Sequence, residues 1–313
     1  ASGNKFEYLK IGGSNTGPSV PEGLVHLVGS QGAGSDNNRF GNCEIYSTSA
    51  IPNSKNIMLS SVGAAGFVND NDSIINCRFY DFAASGIQLS DYSNGWVISG
   101  NSFYNTATVN YVSDVAFIKI SSLNAVAASH QVTNNYFGGT AANCQGNAMS
   151  AGYFSTFSFI DIAGKAVVSN NYFRRVRLYN GSNSINNSVV NFILARLVPA
   201  QVTYVIDNNY FGSSSLSDSL HVSSNSSSVD MEVNGISMIG LGQVSNNRFS
   251  HLRCSSPVTR IMLKVISAGG NTDANIRNNA IGDPAIPNCI FNNSAGQTYG
   301  IGLLSVNSAR VIG

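Results

Sequence analysis

Val132-Thr133-Asn134-Asn135-Tyr136-Phe137 recurs as Val168-Ser169-Asn170-Asn171-Tyr172-Phe173, Ile206-Asp207-Asn208-Asn209-Tyr210-Phe211 and Val244-Ser245-Asn246-Asn247-Arg248-Phe249. Looser copies end at Phe40, Phe79, Phe103 and Ile281, so the motif spans nearly the whole chain. The interval is shortest between Phe79 and Phe103, as when one bare coil repeats and its neighbours carry loops. A second apolar strand precedes most copies, as at Phe117–Ile120, Phe157–Ile162, Val190–Leu194, Ile236–Leu241 and Ile261–Ile266. Each repeat therefore predicts two or three strands. The Ile/Val and the Phe fill an interior, because alternate residues of a strand share a face. The Asn near the Phe lies in a turn, where its amide can pair with the same Asn of the next coil while its neighbour takes a left-handed backbone. The expectation is an all-β fold: one parallel β-helix domain (a β-solenoid) over residues 1–313, of about eight to ten coils, with Asn and Phe ladders and variable loops. No stretch of ordinary helix length has apolar residues at helical spacing, which disfavours a βαβ barrel or doubly wound sheet.

Composition agrees with such a fold. Hydrophobic residues at 43% can fill a core, while charged residues at 11% fall far below the roughly 25% of an average domain. Asn, Ser and 31 Gly supply surface polarity and turns instead. A net charge of +1, with no long run of like charge, offers no field for nucleic acid or an anionic membrane, and neither partner is expected. No apolar run is long enough for a membrane-spanning helix, so membrane insertion is not expected. Ala1-Ser2-Gly3-Asn4 has neither the basic nor the apolar region of a signal peptide, as in a chain already processed. The five cysteines form no C-x-x-C pair, which removes the usual zinc pattern, and their odd number leaves one thiol over or one bridge between chains. The expected location is secreted or cell surface, with calcium the one cofactor left open.

The repeat grammar from Phe40 to Ile281 resembles that of the right-handed parallel β-helix superfamily, the pectin-lyase-like group. The resemblance implies the hand of the coil. The group includes polysaccharide lyases, inverting glycoside hydrolases, phage tailspikes and surface proteins, so the fold does not choose a function. Asn271-Thr272-Asp273 is similar to the Asn-Thr-Asp element of polygalacturonases, which makes Asp273 a catalytic candidate. The paired Asp-Asp, the Gly-His-Gly and the Arg-Ile-Lys elements of those enzymes are absent.

Other candidates come from position in the repeat. Lys119 and Asp161 hold matching places in Phe-Ile-Lys-Ile and Phe-Ile-Asp-Ile, and Lys264 is assigned to the same column. They read either as the base and carboxylate of a lyase or as a stacked surface ion pair. Asn69-Asp70-Asn71-Asp72 is either a polar turn or a weak calcium loop through Asp70 and Asp72. Arg174, Arg175 and Arg177 could hold an acidic sugar or another subunit's carboxylate, or lie solvated over apolar surface. The residue before each Phe should face outward, giving the column Arg39, Arg78, Ser102, Tyr136, Tyr172, Tyr210, Arg248, Ala280. Its three tyrosines could stack on sugar rings, pack against a subunit, or simply brace adjacent strands. Cys254 and Cys289 are placed to form a disulfide between adjacent coils.

The strand-like ends, Phe6–Ile11 and Ala309–Gly313, show no capping helix and suggest head-to-tail self-association. The leading functional expectation is an extracellular structural or surface-assembly solenoid, polymerising into a filament, sheath or lattice. The odd cysteine, with Cys144 the thiol to watch, could tie its subunits. The alternative is a polysaccharide lyase or glycoside hydrolase, or a carbohydrate-binding tailspike or adhesin. It would use the outer face near Lys119, Asp161, Tyr136, Tyr172 and Tyr210.

Overall fold

A computed structural model describes residues 2–13, 23–29, 34–48, 56–62, 68–111, 114–121, 129–181, 187–196, 203–226, 230–270, 273–284, 289–304 and 308–312. One coil shows the plan. His130–Thr133 enters the first sheet, Tyr136–Phe137 the second, Met149–Gly152 the third and Thr156–Ala163 the fourth. Ala166–Ser169 then begins the next coil beside His130–Thr133. Stacking coils in this way gives sheets of ten, nine, six and nine strands, with a further two-stranded pair of Asn69–Asp70 and Ser93–Asn94, and every strand pairing is parallel. Among the described residues the third sheet starts at Val109–Asn110. The chain is thus a parallel β-helix. No helix among the described residues is long and apolar enough to cross a membrane.

The Asn-Asn turn joins the first sheet to the second, and each of its two residues has one task. Asn134, Asn170, Asn208, Asn246 and Asn278 have φ between 53° and 58°, the left-handed region Asn tolerates, and Gly100 takes the same place at 70°. The following residues form a buried amide ladder. Each Nδ2 of Asn101, Asn135, Asn171, Asn209 and Asn247 donates to Oδ1 of the next Asn, ending at Asn279, at 2.9–3.0 Å. The same Nδ2 also donates to a carbonyl of the preceding coil, as Asn171 does to Val132 O at 2.9 Å. Both amide protons are therefore satisfied where water is absent, which is the condition for burying an amide without penalty. Cys77 and Cys43 head the ladder: Cys77 N–H donates to Asn101 Oδ1 at 2.8 Å, and Cys43 N–H to Cys77 Sγ at 3.4 Å.

Inside the second sheet the Phe stack runs through Phe79, Phe103, Phe137, Phe173, Phe211 and Phe249 with ring centroids 4.3–5.2 Å apart. Phe159 and Phe192 of the fourth sheet meet it edge-on, for example Phe159 on Phe173 at 5.7 Å, so the core is interdigitated across the coil. Phe40 is not part of the stack. It pairs with Phe6 and Ile74 in the first sheet, at the Ile/Val position, and Ile45 holds the Phe position of that coil. The sequence-based column is corrected accordingly: Arg39 lies in the first sheet, and Lys10 and Glu44 precede Arg78 in the second.

Candidate functional site

The tyrosine column forms as expected from alternation, but its geometry decides what it can do. Tyr136, Tyr172 and Tyr210 are register partners on the outside of the second sheet, stacked at 5.1 and 5.0 Å with planes within 10°. Both faces of Tyr172 are therefore taken by its neighbours, with Arg174 also 5.1 Å from its ring, while Tyr136 and Tyr210 each give one face to the stack. Tyr172 thus offers a sugar only its edge, whereas stacking needs a face. Tyr46, Tyr80 and Tyr104 make a second such ladder, at 4.7 and 5.1 Å, which the motif did not reveal because it lies one residue past the Phe.

Lys119 and Asp161 are register partners in the fourth sheet, yet Asp161 is nearly buried and bonded elsewhere. Arg196 reaches both its oxygens, Nε and Nη2 at 2.6 Å each. Hydrogen bonding to Asp161 raises the Arg196 guanidinium above its ordinary value, a sign of a firmly held charge pair. Lys264 is out of that column: it pairs with Asn234, and Asp161 leads through Leu194 and Ser237 to Ser267. Asp273 opens a first-sheet strand three coils further on, about 14 Å along the axis at 4.8 Å per strand. It does not join Asp161, and Asn271 and Thr272 lie outside the described residues.

Asp70 lies in the short strand Asn69–Asp70, paired with Asn94, and Asp72 stands just before the first-sheet strand Ser73–Ile75. Asn38 donates to Asp72 Oδ1 through its backbone N–H at 2.6 Å and its amide at 3.1 Å, and Asn4 donates to Asn38 Oδ1 in the same way. Asp70 Oδ1 accepts both the backbone and side-chain N–H of Asn94. Burial pushes the Asp72 carboxyl up to about 6, and Asp72 Oδ2 has no hydrogen-bond partner. No group of three or more metal-binding side chains occurs among the described residues.

The proposed disulfide is corrected. Cys254 pairs with Asn292, whereas Cys289 stands three positions earlier, just ahead of the strand Ile290–Asn293, about 10 Å away and beyond disulfide reach. All five cysteines are buried free thiols, and burial pushes Cys144 up to about 12, so it is poorly placed to join subunits.

The arginine cluster divides. Arg175 donates through Nε to Asp218 Oδ1 at 2.7 Å, and Arg174 lies 3.9 Å from its other oxygen. Burial alone would raise the Asp218 carboxyl, but the Arg175 and Ser213 hydrogen bonds and the two guanidinium charges hold it below its ordinary value. Arg177 instead points outward from the third sheet, with no carboxylate paired to it among the described residues. There it belongs to a column no motif announced: Ser150, Arg177, His221, Arg253, Phe291. The adjacent outward column is Gly152, Tyr179, Ser223, Ser255, Asn293. Burial, then the charges of Arg177 and Arg253, keeps the His221 imidazole below its ordinary value, and its Nε2 meets Ser255 Oγ at 2.9 Å. Arg253 also stacks over Phe291 at 5.7 Å.

Two depressions flank the loops that lead from this sheet to the fourth. A shallow groove of about 560 Å³ is lined by Tyr179, Ser223, Asn225, Ser255 and Asn293 among others. A cleft of about 470 Å³ is lined by Asp230, Glu232, Arg260, Met262 and Gln297 among others. Its acids are both paired, Asp230 with Arg260 at 2.6 Å and Glu232 with Lys264 at 3.0 Å. The third-sheet face thus combines two guanidinium groups, open aromatic rings and a field of hydroxyl and amide groups.

No protein-family profile and no curated protein matches the chain. Among solved structures it is similar to the catalytic unit of a thermostable GH87 alpha-1,3-glucanase from Streptomyces thermodiastaticus strain HF3-3. The identity is 13%, over 92% of this chain and 52% of that one, with a TM-score of 0.32. The chain spans about half the length of that catalytic unit. So distant a likeness bears on neither activity nor substrate.

Proposed function

We propose that this protein is a secreted or cell-surface β-solenoid that binds an acidic polysaccharide along the outward face of its third sheet. The observation that carries the reading is the registered row Arg177, His221, Arg253 beside Tyr179, Ser223, Ser255 and Asn293. Arg177 and Arg253 flank His221 in register and neither has a carboxylate partner among the described residues, so an anion lying across the two arginines would offset their positive charge. Successive strands advance by about 4.8 Å, close to the advance of one pyranose residue in an extended glycan. Arg177 and Arg253, two strands apart, therefore suit carboxylates on alternate sugars, each held by a planar guanidinium fork. Tyr179 is exposed and makes no ring-ring contact among the described residues, which leaves a face for a sugar ring.

The laddered interior supports the accompanying structural role. A stiff rod would hold these side chains at fixed spacing, and self-association into a lattice would multiply weak contacts. The test is calorimetric titration with oligogalacturonate and with a neutral glucan oligomer of equal length. Binding of the acidic chain that weakens with salt, and drops at least tenfold in the Arg177→Ala/Arg253→Ala variant, is the expected result. Equal affinity in that variant, or equal binding of the neutral chain, would reject it. Release of unsaturated products that Lys119→Ala abolishes would move the active face to the fourth sheet.

A further inference from the structure

Three side chains in the fourth sheet, none required for glycan binding, are arranged as reactants. Asn234 and Lys264 are register partners on neighbouring strands, Met231–Ile239 and Ile261–Gly269. Their side chains meet the two oxygens of one carboxylate. Lys264 Nζ lies 3.0 Å from Glu232 Oε2, and Asn234 Nδ2 donates to Glu232 Oε1 at 2.8 Å. Two of the three are screened from water, the Asn234 residue being 1% exposed and the Lys264 side chain 11%, while the Glu232 side chain is 36% exposed and faces the cleft. Asn234 Nδ2 has a second acceptor, Asn191 Oδ1 at 3.0 Å, while Asn234 Oδ1 is buried without a partner. A buried amine beside a buried amide whose carbonyl is unsatisfied is a poor resting arrangement by ordinary packing rules.

We propose that Lys264 and Asn234 join in an intramolecular isopeptide bond, with Glu232 moving the protons. Glu232 takes a proton from the Lys264 ammonium, and the neutral amine attacks Cγ of Asn234. The Cγ–Nδ2 bond breaks as Glu232 returns the proton to Nδ2, and ammonia leaves. One amide replaces another, so no oxidant or further reactant is needed, and the second amine proton follows the departing ammonia as ammonium. Holding amine and amide on adjacent strands makes the step unimolecular, and one carboxylate in reach of both nitrogens serves as base and then acid. Glu232 also lines the 470 Å³ cleft, which gives ammonia a way out. In the product the new amide N–H keeps its bond to Glu232, and a buried cation has been replaced by a neutral group. The bond staples two coils together and, like any cross-link, restricts the unfolded chain.

Intact-mass spectrometry and peptide mapping of the purified full chain test this without reference to glycan binding. The expected mass is lower than the sequence mass by one ammonia, with the peptide holding Asn234 joined to the peptide holding Lys264. Lys264→Arg restores the sequence mass. Glu232→Gln, which keeps the size at that position and one acceptor oxygen but removes the base, also restores it and supplies the test where Lys264→Arg disturbs folding. Full sequence mass with unjoined peptides, both fresh and after prolonged incubation, overturns the proposal. An ammonia loss that survives in Lys264→Arg does so too, since it places the change at the Asn234–Gly235 backbone as a cyclic imide. A cross-link formed undiminished in Glu232→Gln overturns the role given to Glu232.

Discussion

The second and third sheets are built by the same coils, yet their outer faces have opposite chemistry. On the second, like stands on like: Tyr136, Tyr172 and Tyr210 stack face to face and satisfy one another. On the third, unlike residues stand in register, and Arg177 and Arg253 flank His221, whose imidazole is kept below its ordinary value, with Tyr179 left open. Identity from coil to coil is what a ladder needs, because each side chain must be the partner of its own copy. A binding face needs groups whose partners are elsewhere. In this solenoid regularity marks structure, and departure from regularity marks the candidate site.

The largest effect should come from breaking the ladder interior. Phe173→Ala removes a ring stacked on both sides and is expected to cost about 3–5 kcal/mol in denaturant unfolding, with glycan affinity per folded molecule unchanged. A cost below 1 kcal/mol would show that the coils do not depend on the stack.

Asp72 tests the same rule from a position where the ladder is chemically imperfect. Burial raises its carboxyl from 3.8 to about 6, so between those pH values the folded chain keeps a proton that the unfolded chain gives up. Its contribution is full below about pH 4 and is lost as pH rises through about 6. Asp72→Asn, which copies Asn38 and Asn4, should flatten that dependence and stabilise the chain at neutral pH by about 2 kcal/mol. Stability that stays parallel to the parent from pH 4 to 8 would contradict it.

The two smallest effects form a crossed pair. Tyr179→Ala should lower affinity for oligogalacturonate about tenfold, or about 1.4 kcal/mol, and leave the melting temperature in place. Tyr172→Ala should do the reverse, costing about 0.5–1.5 kcal/mol of stability with unchanged affinity. Equal responses of the two variants would erase the distinction between the faces.

Much of this fold is legible in the sequence because its ladders require the same residue at the same turn. Asn135, Asn171, Asn209 and Asn247 announce both the turn and its amide ladder. Misreading began where the motif was loose: Asn38-Arg39-Phe40 has the right residue types, but Phe40 packs as an Ile/Val equivalent on Phe6. The Arg177, His221, Arg253 column was hidden for a different reason. The segment carrying Leu216–Asp218 displaces His221 from the offset at which Arg177 and Arg253 follow their Phe. That same segment brings Asp218 to Arg174 and Arg175 and leaves Arg177 alone of the three facing outward.

By itself the sequence determined the coil, the Asn turn, the Phe stack and the tyrosine register, because each depends on a side chain meeting its own repeat. Only the tertiary structure decided which ring faces stay open, that Asp161 belongs to Arg196, and that Glu232 lies between Asn234 and Lys264. Those pairings join different residue types across coils whose loops differ in length, and no periodicity records where such loops bring two strands together.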